Sequence, residues 1–260
     1  MSLDTENYYY GQGRISLATR DPVTGALGAW RWVGDASALS VKLTAQKVQH
    51  NESFSGQVAE TVSFPTKKTS TVDITLNQLD PDNLALALFG TKQATVAGTV
   101  TAEDVGTLAA GDTFYLANPG VSAVVITDST ATPKTLVEGT DYTVDDANFG
   151  RCTLVNVGTY TMPLKAAYSY AARNAVGMFT APQPSVALRY EGVNLAQGNA
   201  PVLVDLYKVN TDPLADLALI TTGTDVAGMQ ITGGVLLDTT KPSTGPLGQF
   251  GAITQITQAA

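Results

Sequence analysis

Val72-Asp73-Ile74-Thr75-Leu76, followed by Asp80-Pro81-Asp82-Asn83-Leu84-Ala85-Leu86-Ala87-Leu88-Phe89-Gly90, is the stretch on which the fold turns. Val72, Ile74 and Leu76 alternate with polar residues and therefore share one face of a strand. Asp80 can cap the free amides of a helix, Pro81 suits its first turn, and Gly90 can close it. The stretch predicts a strand that hands over to a short helix. A second stretch has the same order: Val202-Leu203-Val204-Asp205-Leu206-Tyr207 leads to Asp212-Pro213-Leu214-Ala215-Asp216-Leu217-Ala218-Leu219-Ile220, which predicts another short helix. Both are scaffold devices and carry no chemistry.

Outward from these units the chain reads as β-structure. Its 260 residues allow one large domain or a domain with a second one inserted. Hydrophobic residues at 44% against charged residues at 15% assure a core, and recurrent Val, Thr, Ala and Gly favour strands and turns over a helical bundle. Arg14-Ile15-Ser16-Leu17-Ala18 is a strand, Asp21-Pro22-Val23-Thr24-Gly25 a turn, and the next strand places Trp30 and Trp32 on one face, where packing accounts for them. Leu39-Ser40-Val41-Lys42-Leu43 alternates cleanly. From Ala45 to Lys68 the pattern loosens, then returns through Val58, Val62 and Phe64. This predicts a long, partly polar hairpin that reaches beyond the sheet, with contact to another subunit as the reason for its length.

Residues 91–175 differ in texture. Thr91 to Thr107 has the Thr, Ala, Val and Gly content of a linker. Short β-like runs follow at Thr113–Leu116, Ser122–Ile126, Tyr142–Val144, Cys152–Val157 and Leu164–Tyr170, separated by turn residues such as Asn118-Pro119-Gly120. The expected organisation is one β-domain from residues 1–90 and 176–260, interrupted by a small β-rich module at 91–175. The last twenty residues, from Lys241, are rich in Pro and Gly and read as an arm that gains order by docking on a neighbour.

Charge and residue inventory exclude several function classes. A net charge of −8 opposes tight binding to phosphate backbones, yet suits a surface past which DNA slides without sticking. Cys152 is the only cysteine, so no internal disulfide forms, and it reads as a small apolar strand residue. His50 is the only histidine, which excludes a His-rich metal site. The acidic pairs Asp80 and Asp82, Glu103 and Asp104, and Asp145 and Asp146 lack calcium-loop spacing and read as caps and turns. Gly11-Gln12-Gly13-Arg14 has neither the later glycine of a dinucleotide fingerprint nor a P-loop Lys. No cofactor, metal or catalytic site is expected. The N-terminus lacks the features of a signal peptide, and no run reaches membrane-spanning length. Tyr8-Tyr9-Tyr10 suits a protein contact, since Tyr is favoured where one end is apolar and the other wet.

The Asn7-Tyr8-Tyr9-Tyr10-Gly11-Gln12-Gly13 start, the long loop returning into Thr69-Ser70-Thr71-Val72-Asp73-Ile74-Thr75-Leu76, and the Asp82-to-Gly90 run together resemble the major tail tube proteins of long-tailed bacteriophages. Val202 to Val209, Asp212 to Ile220 and Met229 to Asp238 are similar to the second half of that family. The resemblance implies a β-sandwich or barrel subunit with a flanking helix, six copies of which join their sheets into a ring. Rings stack into a tube that conducts double-stranded DNA without specific binding. It also implies a virion (tail) protein assembled in the bacterial cytoplasm, with tape measure, tail terminator and distal tail proteins as partners, and no membrane. Pairing of sheet borders between subunits removes exposed edges. The contact residues expected on this reading are Tyr8, Tyr9, Tyr10, His50, Asn51, Phe54, Phe64 and Phe250, and Thr69–Leu76 and Val202–Val209 lie in or beside the inner sheet.

Three other readings use the same residues. A tube subunit of a contractile tail or secretion system is the same class of object with a sheath around it. A carbohydrate-binding or adhesin sandwich is favoured by the Tyr, Trp and Thr content and requires exposed aromatics on a rigid face. A hydrolase requires His50 or an acidic pair in a cleft.

Overall fold

The computed structural model describes residues 8–222 and 226–256. The protein is mostly β, with one short α-helix among the described residues. In chain order the elements are β1 (Gly11–Arg20), β2 (Leu27–Trp32), β3 (Ala36–Asn51), β4 (Glu60–Leu76), α1 (Pro81–Ala87), β5 (Lys92–Thr95) and β6 (Gly98–Gly106). Then come β7 (Thr113–Tyr115), β8 (Val121–Thr127), β9 (Tyr142–Asp146), β10 (Arg151–Leu154), β11 (Leu164–Tyr170) and β12 (Arg173–Val176). The chain closes with β13 (Ser185–Asn194), a 3₁₀ turn (Leu195–Gln197), β14 (Ala200–Thr211), β15 (Met229–Val235) and β16 (Gly251–Gln255). It divides into two compact units, one of residues 1–92 with 176–260 and the other of residues 93–175.

The first unit is an eight-stranded antiparallel sheet in the order β2-β1-β13-β14-β15-β4-β3, with β16 added to β14. The second edge of β14 is shared: β15 takes Val209 to Thr211, and β16 takes Val202 to Leu206. The two ends of the row, β2 and β3, are joined by only Val33, Gly34 and Asp35. A flat row of seven strands separates its edges by about 29 Å, whereas this link spans at most about 14 Å. The sheet is therefore curled like an open barrel. Its concave face holds the core, including Ile15, Leu17, Val72, Ile74, Leu76, Leu188, Leu206, Met229 and Ile231.

Helix α1 packs on this core through Leu84, Leu86 and Ala87. Asp80 Oδ1 accepts from the amides of Asp82 and Asn83 at 2.7 and 3.0 Å, and Pro81 occupies the first turn. Asn83, fully buried, donates to the Val33 and Gln78 carbonyls at 2.8 and 3.2 Å and accepts from Arg31 at 2.8 Å. One side chain thus ties the helix to the β2–β3 link. The helix ends before Gly90: Phe89 takes the left-handed conformation (φ +49°), and Gly90 donates to the Ala85 carbonyl.

The helix expected after Asp212-Pro213 does not form. Asp212 is tied to β15, its amide donating to the Thr232 carbonyl (2.8 Å) and its carboxylate accepting from the Thr232 hydroxyl (3.3 Å), and the Leu214 amide that a capping Asp212 would accept from is bonded elsewhere. Leu214 instead donates to the Ala87 carbonyl and packs, with Leu217, against the core as irregular chain.

The second unit holds two three-stranded antiparallel sheets, β7-β10-β9 and β6-β11-β8, around one core that includes Phe114, Ile126, Tyr142, Cys152, Leu154 and Leu164. The linker expected at Thr91–Thr107 is instead β5 and β6. Val100 and Val105 pack on this second core, which makes β6 a structural strand.

Candidate interaction surface

The β3–β4 hairpin carries a long exposed stretch of the first unit. β4 pairs with β15 from Ser70 to Leu76; before Ser70, among the described residues, it pairs with β3 alone. Residues 44–51 and 60–69 therefore form a two-stranded arm beyond the sheet, and every one of them is exposed. A two-stranded ribbon on its own is marginal in water.

Register decides which side chains gather on the arm. Val48 lies opposite Phe64, and His50 opposite Val62, so these four share one face. Val48 and Val62 are each 48% exposed and Phe64 50%. At the tip, Glu52 accepts from the Phe54 and Ser55 amides at 2.9 and 2.8 Å and from the Ser55 hydroxyl. The Ser55 hydroxyl first, then those two amides, hold its carboxyl down at about 2. The tip is thus closed by its own hydrogen bonds, while Phe54 points out, 87% exposed. Asn51 is the last paired residue of β3, opposite Glu60.

At the base of the arm lies a mainly apolar hollow of about 540 Å³ lined by Leu43, Pro65, Leu247 and Phe250 among others. Phe250 differs from the other expected contact residues because it is half-buried against the main core. The segment from Lys241 is likewise no loose arm: Gly251–Gln255 is β16, and Gln249 donates to the Lys241 carbonyl at 2.7 Å. Residues 257–260, and Asn7 at the other end, lie outside the described residues.

Tyr8, Tyr9 and Tyr10 sit at the start of β1 with exposed side chains. The buried Asn194 holds their backbone, donating to the Tyr8 carbonyl at 2.8 Å and accepting from the Tyr10 amide at 2.9 Å. Gly13 and Gly192 lie opposite one another, and a Cβ on either would strike the Tyr190 ring. Gly13 therefore serves the close approach of β1 to the Glu191 carbonyl, the Gly192 backbone and the Tyr190 ring. Burial, with the Tyr9 hydroxyl alongside, pushes the Tyr190 phenol up to about 12.

Trp30 and Trp32 are not core residues. Each is partly exposed on the outer face of the sheet, with Arg189 5.4 Å from the Trp30 ring and Arg14 4.9 Å from that of Trp32. Sequence reading missed these partners because the stacked residues lie on different strands. The acidic pairs are engaged locally. Asp82 meets Lys92, Glu103 accepts from Tyr168 and from the Ala117 amide, and Asp145 accepts from Thr143 and Thr153. Among the described residues, no three His, Cys, Asp or Glu side chains are grouped to hold a metal ion.

No curated protein matches the chain. A family model described as "Protein of unknown function UCP028589" matches residues 8–254, spanning all of the second unit and nearly all of the first. By that match, the chain belongs to this family of unknown function.

Proposed function

We propose that the protein is a structural subunit that assembles with identical copies into stacked rings, the tube of a long-tailed bacteriophage through which double-stranded DNA passes. The observation that carries this reading is the β3–β4 arm, a self-closed ribbon that displays Val48, Phe54, Val62 and Phe64 to solvent and, among the described residues, pairs with no third strand. Full burial of side chains of this kind stabilises by about 1.5–3 kcal/mol each, which a second copy can supply. The apolar hollow at the base of the arm extends the same surface. The net charge of −8 suits a channel wall to which DNA does not adhere. The role is structural and non-catalytic. Its other partners are the proteins that set tube length and close the two tube ends.

Electron microscopy of the purified protein at rising concentration tests this. Rings or tubes about 100 Å across are expected from six domains of this size. A monomer at every concentration overturns the proposal.

A further inference from the structure

On the convex face of the main sheet, opposite the core, a hollow of about 400 Å³ opens between the β1–β2 turn, β13, β14 and the segment after β15. Its volume lies within the ~300–1,000 Å³ typical of small-ligand sites. Ala187, buried and lacking bulk, lies on the sheet beneath it, while Trp30 and Tyr207 contribute aromatic walls.

Three cations and two carboxylates line it, and two of the cations are ion-paired: Arg20 meets Asp238 at 2.8 Å. Arg189 Nε and Nη2 donate to the two carboxylate oxygens of Asp205 at 2.7 and 3.2 Å, and Lys241 Nζ lies 4.9 Å from the Tyr207 ring. A bare anion entering here finds Lys241 but also meets Asp205 and Asp238 beside the two arginines, and a bare cation meets Arg20, Arg189 and Lys241. Each gains a partner only with an opposing charge close by. What remains is hydrogen-bonding capacity: a guanidinium has five N–H donors and a carboxylate about four acceptor sites, and the Arg189–Asp205 pair uses only two of each. The matching chemistry is a group that donates and accepts at once, carried on a ring that can pack beside the partly exposed Trp30, whose ring already carries Arg189 at 5.4 Å.

We propose that this hollow binds a neutral polyhydroxylated ring, a single sugar unit, either free or at the end of a polysaccharide. Arg189, held over the Trp30 ring, donates to its hydroxyls, Asp205 accepts from them, and the exposed part of Trp30 borders the sugar. No lining residue belongs to the β3–β4 arm, so the site stands independently of the assembly reading.

Saturation-transfer NMR tests it on the full chain, with the methyl glycosides of glucose, galactose, mannose and N-acetylglucosamine in one arm. The same sugars as terminal units of immobilised polysaccharides form the other. Saturable binding of a free glycoside, or retention confined to polysaccharide ends, upholds the site, provided Ala187→Leu abolishes it by filling the hollow. Arg189→Lys should weaken binding about tenfold because the planar fork is lost. Asp205→Asn, which keeps the shape of the wall, serves where Ala187→Leu perturbs folding, and it too should weaken binding. The absence of binding in both arms overturns the proposal, as does binding unaffected by Arg189→Lys and Asp205→Asn. Tubes that form without sugar binding sink this inference and leave the assembly reading intact.

Discussion

Arg20 and Asp238, 218 positions apart in sequence, meet at 2.8 Å with side chains only 8% and 2% exposed. This ion pair fastens the end of β1 to the segment that follows β15, and Arg20 also donates to the Tyr207 carbonyl at 3.4 Å. Burial works against the Asp238 charge. The Thr240 hydroxyl and amide, together with Arg20, outweigh it and keep the carboxyl below its ordinary value.

Arg20→Met should therefore destabilise the first unit by about 3–5 kcal/mol, because it strands a buried carboxylate. The double variant Arg20→Met with Asp238→Leu should recover much of that loss. Denaturant melts of the two variants measure both effects; equal losses would show that contacts other than the charge pair dominate.

The arm should matter for association and not for folding. Phe54→Asp and Phe64→Ser alter side chains that touch little of their own chain, so the melting temperature should change by no more than about 2 °C. Ring or tube formation should be lost. Light scattering beside calorimetry separates the two effects, and assembly that survives both substitutions would remove the arm from the interface.

Acid should loosen the second unit through Asp128. Burial alone would raise this carboxyl, but the Lys134 amide, the Thr130 hydroxyl and the Thr161 amide together hold it at about 2, below the ordinary 3.8. A depressed carboxylate lends stability that is fully present above pH 3.8 and is lost as pH falls through about 2. Asp128→Asn should lower stability at neutral pH and flatten this acid slope, which melts across that range would show.

Cys152 should be silent in the native protein. Burial, with Asp145 and Glu138 nearby, pushes its thiol up to about 11, and the side chain has no exposure. Labelling by a thiol reagent should be very slow in buffer and should rise with denaturant in step with unfolding of the second unit. Fast labelling of the folded chain would contradict the packing described.

Legibility from sequence followed the range of the interaction. The alternation of Val72, Ile74 and Leu76 and the cap at Asp80 depend on neighbours within a few positions, and both could be read directly. Asp212-Pro213 carried the same local signal, yet the Leu214 amide that a cap there would use is taken by the carbonyl of Ala87, far away in sequence. The exposure of Trp30 and Trp32 was hidden for a similar reason, since Arg189 and Arg14 come from other strands. On the arm, His50, Phe54 and Phe64 could be picked from the loosened pattern. Their grouping with Val48 and Val62 depends on the pairing register, which a bulge at Gln46 and Lys47 shifts.

β5 and β12 straddle the two boundaries of residues 93–175 and are hydrogen-bonded to each other, and just outside the block Gly177 donates to the Thr91 carbonyl at 3.1 Å. Their backbones therefore run about 4.8 Å apart, a distance that a tight turn can bridge. The block can be treated as a cassette: excising it and splicing the two ends requires no rearrangement of the remaining sheet, and a different small domain with adjacent ends could be grafted in its place.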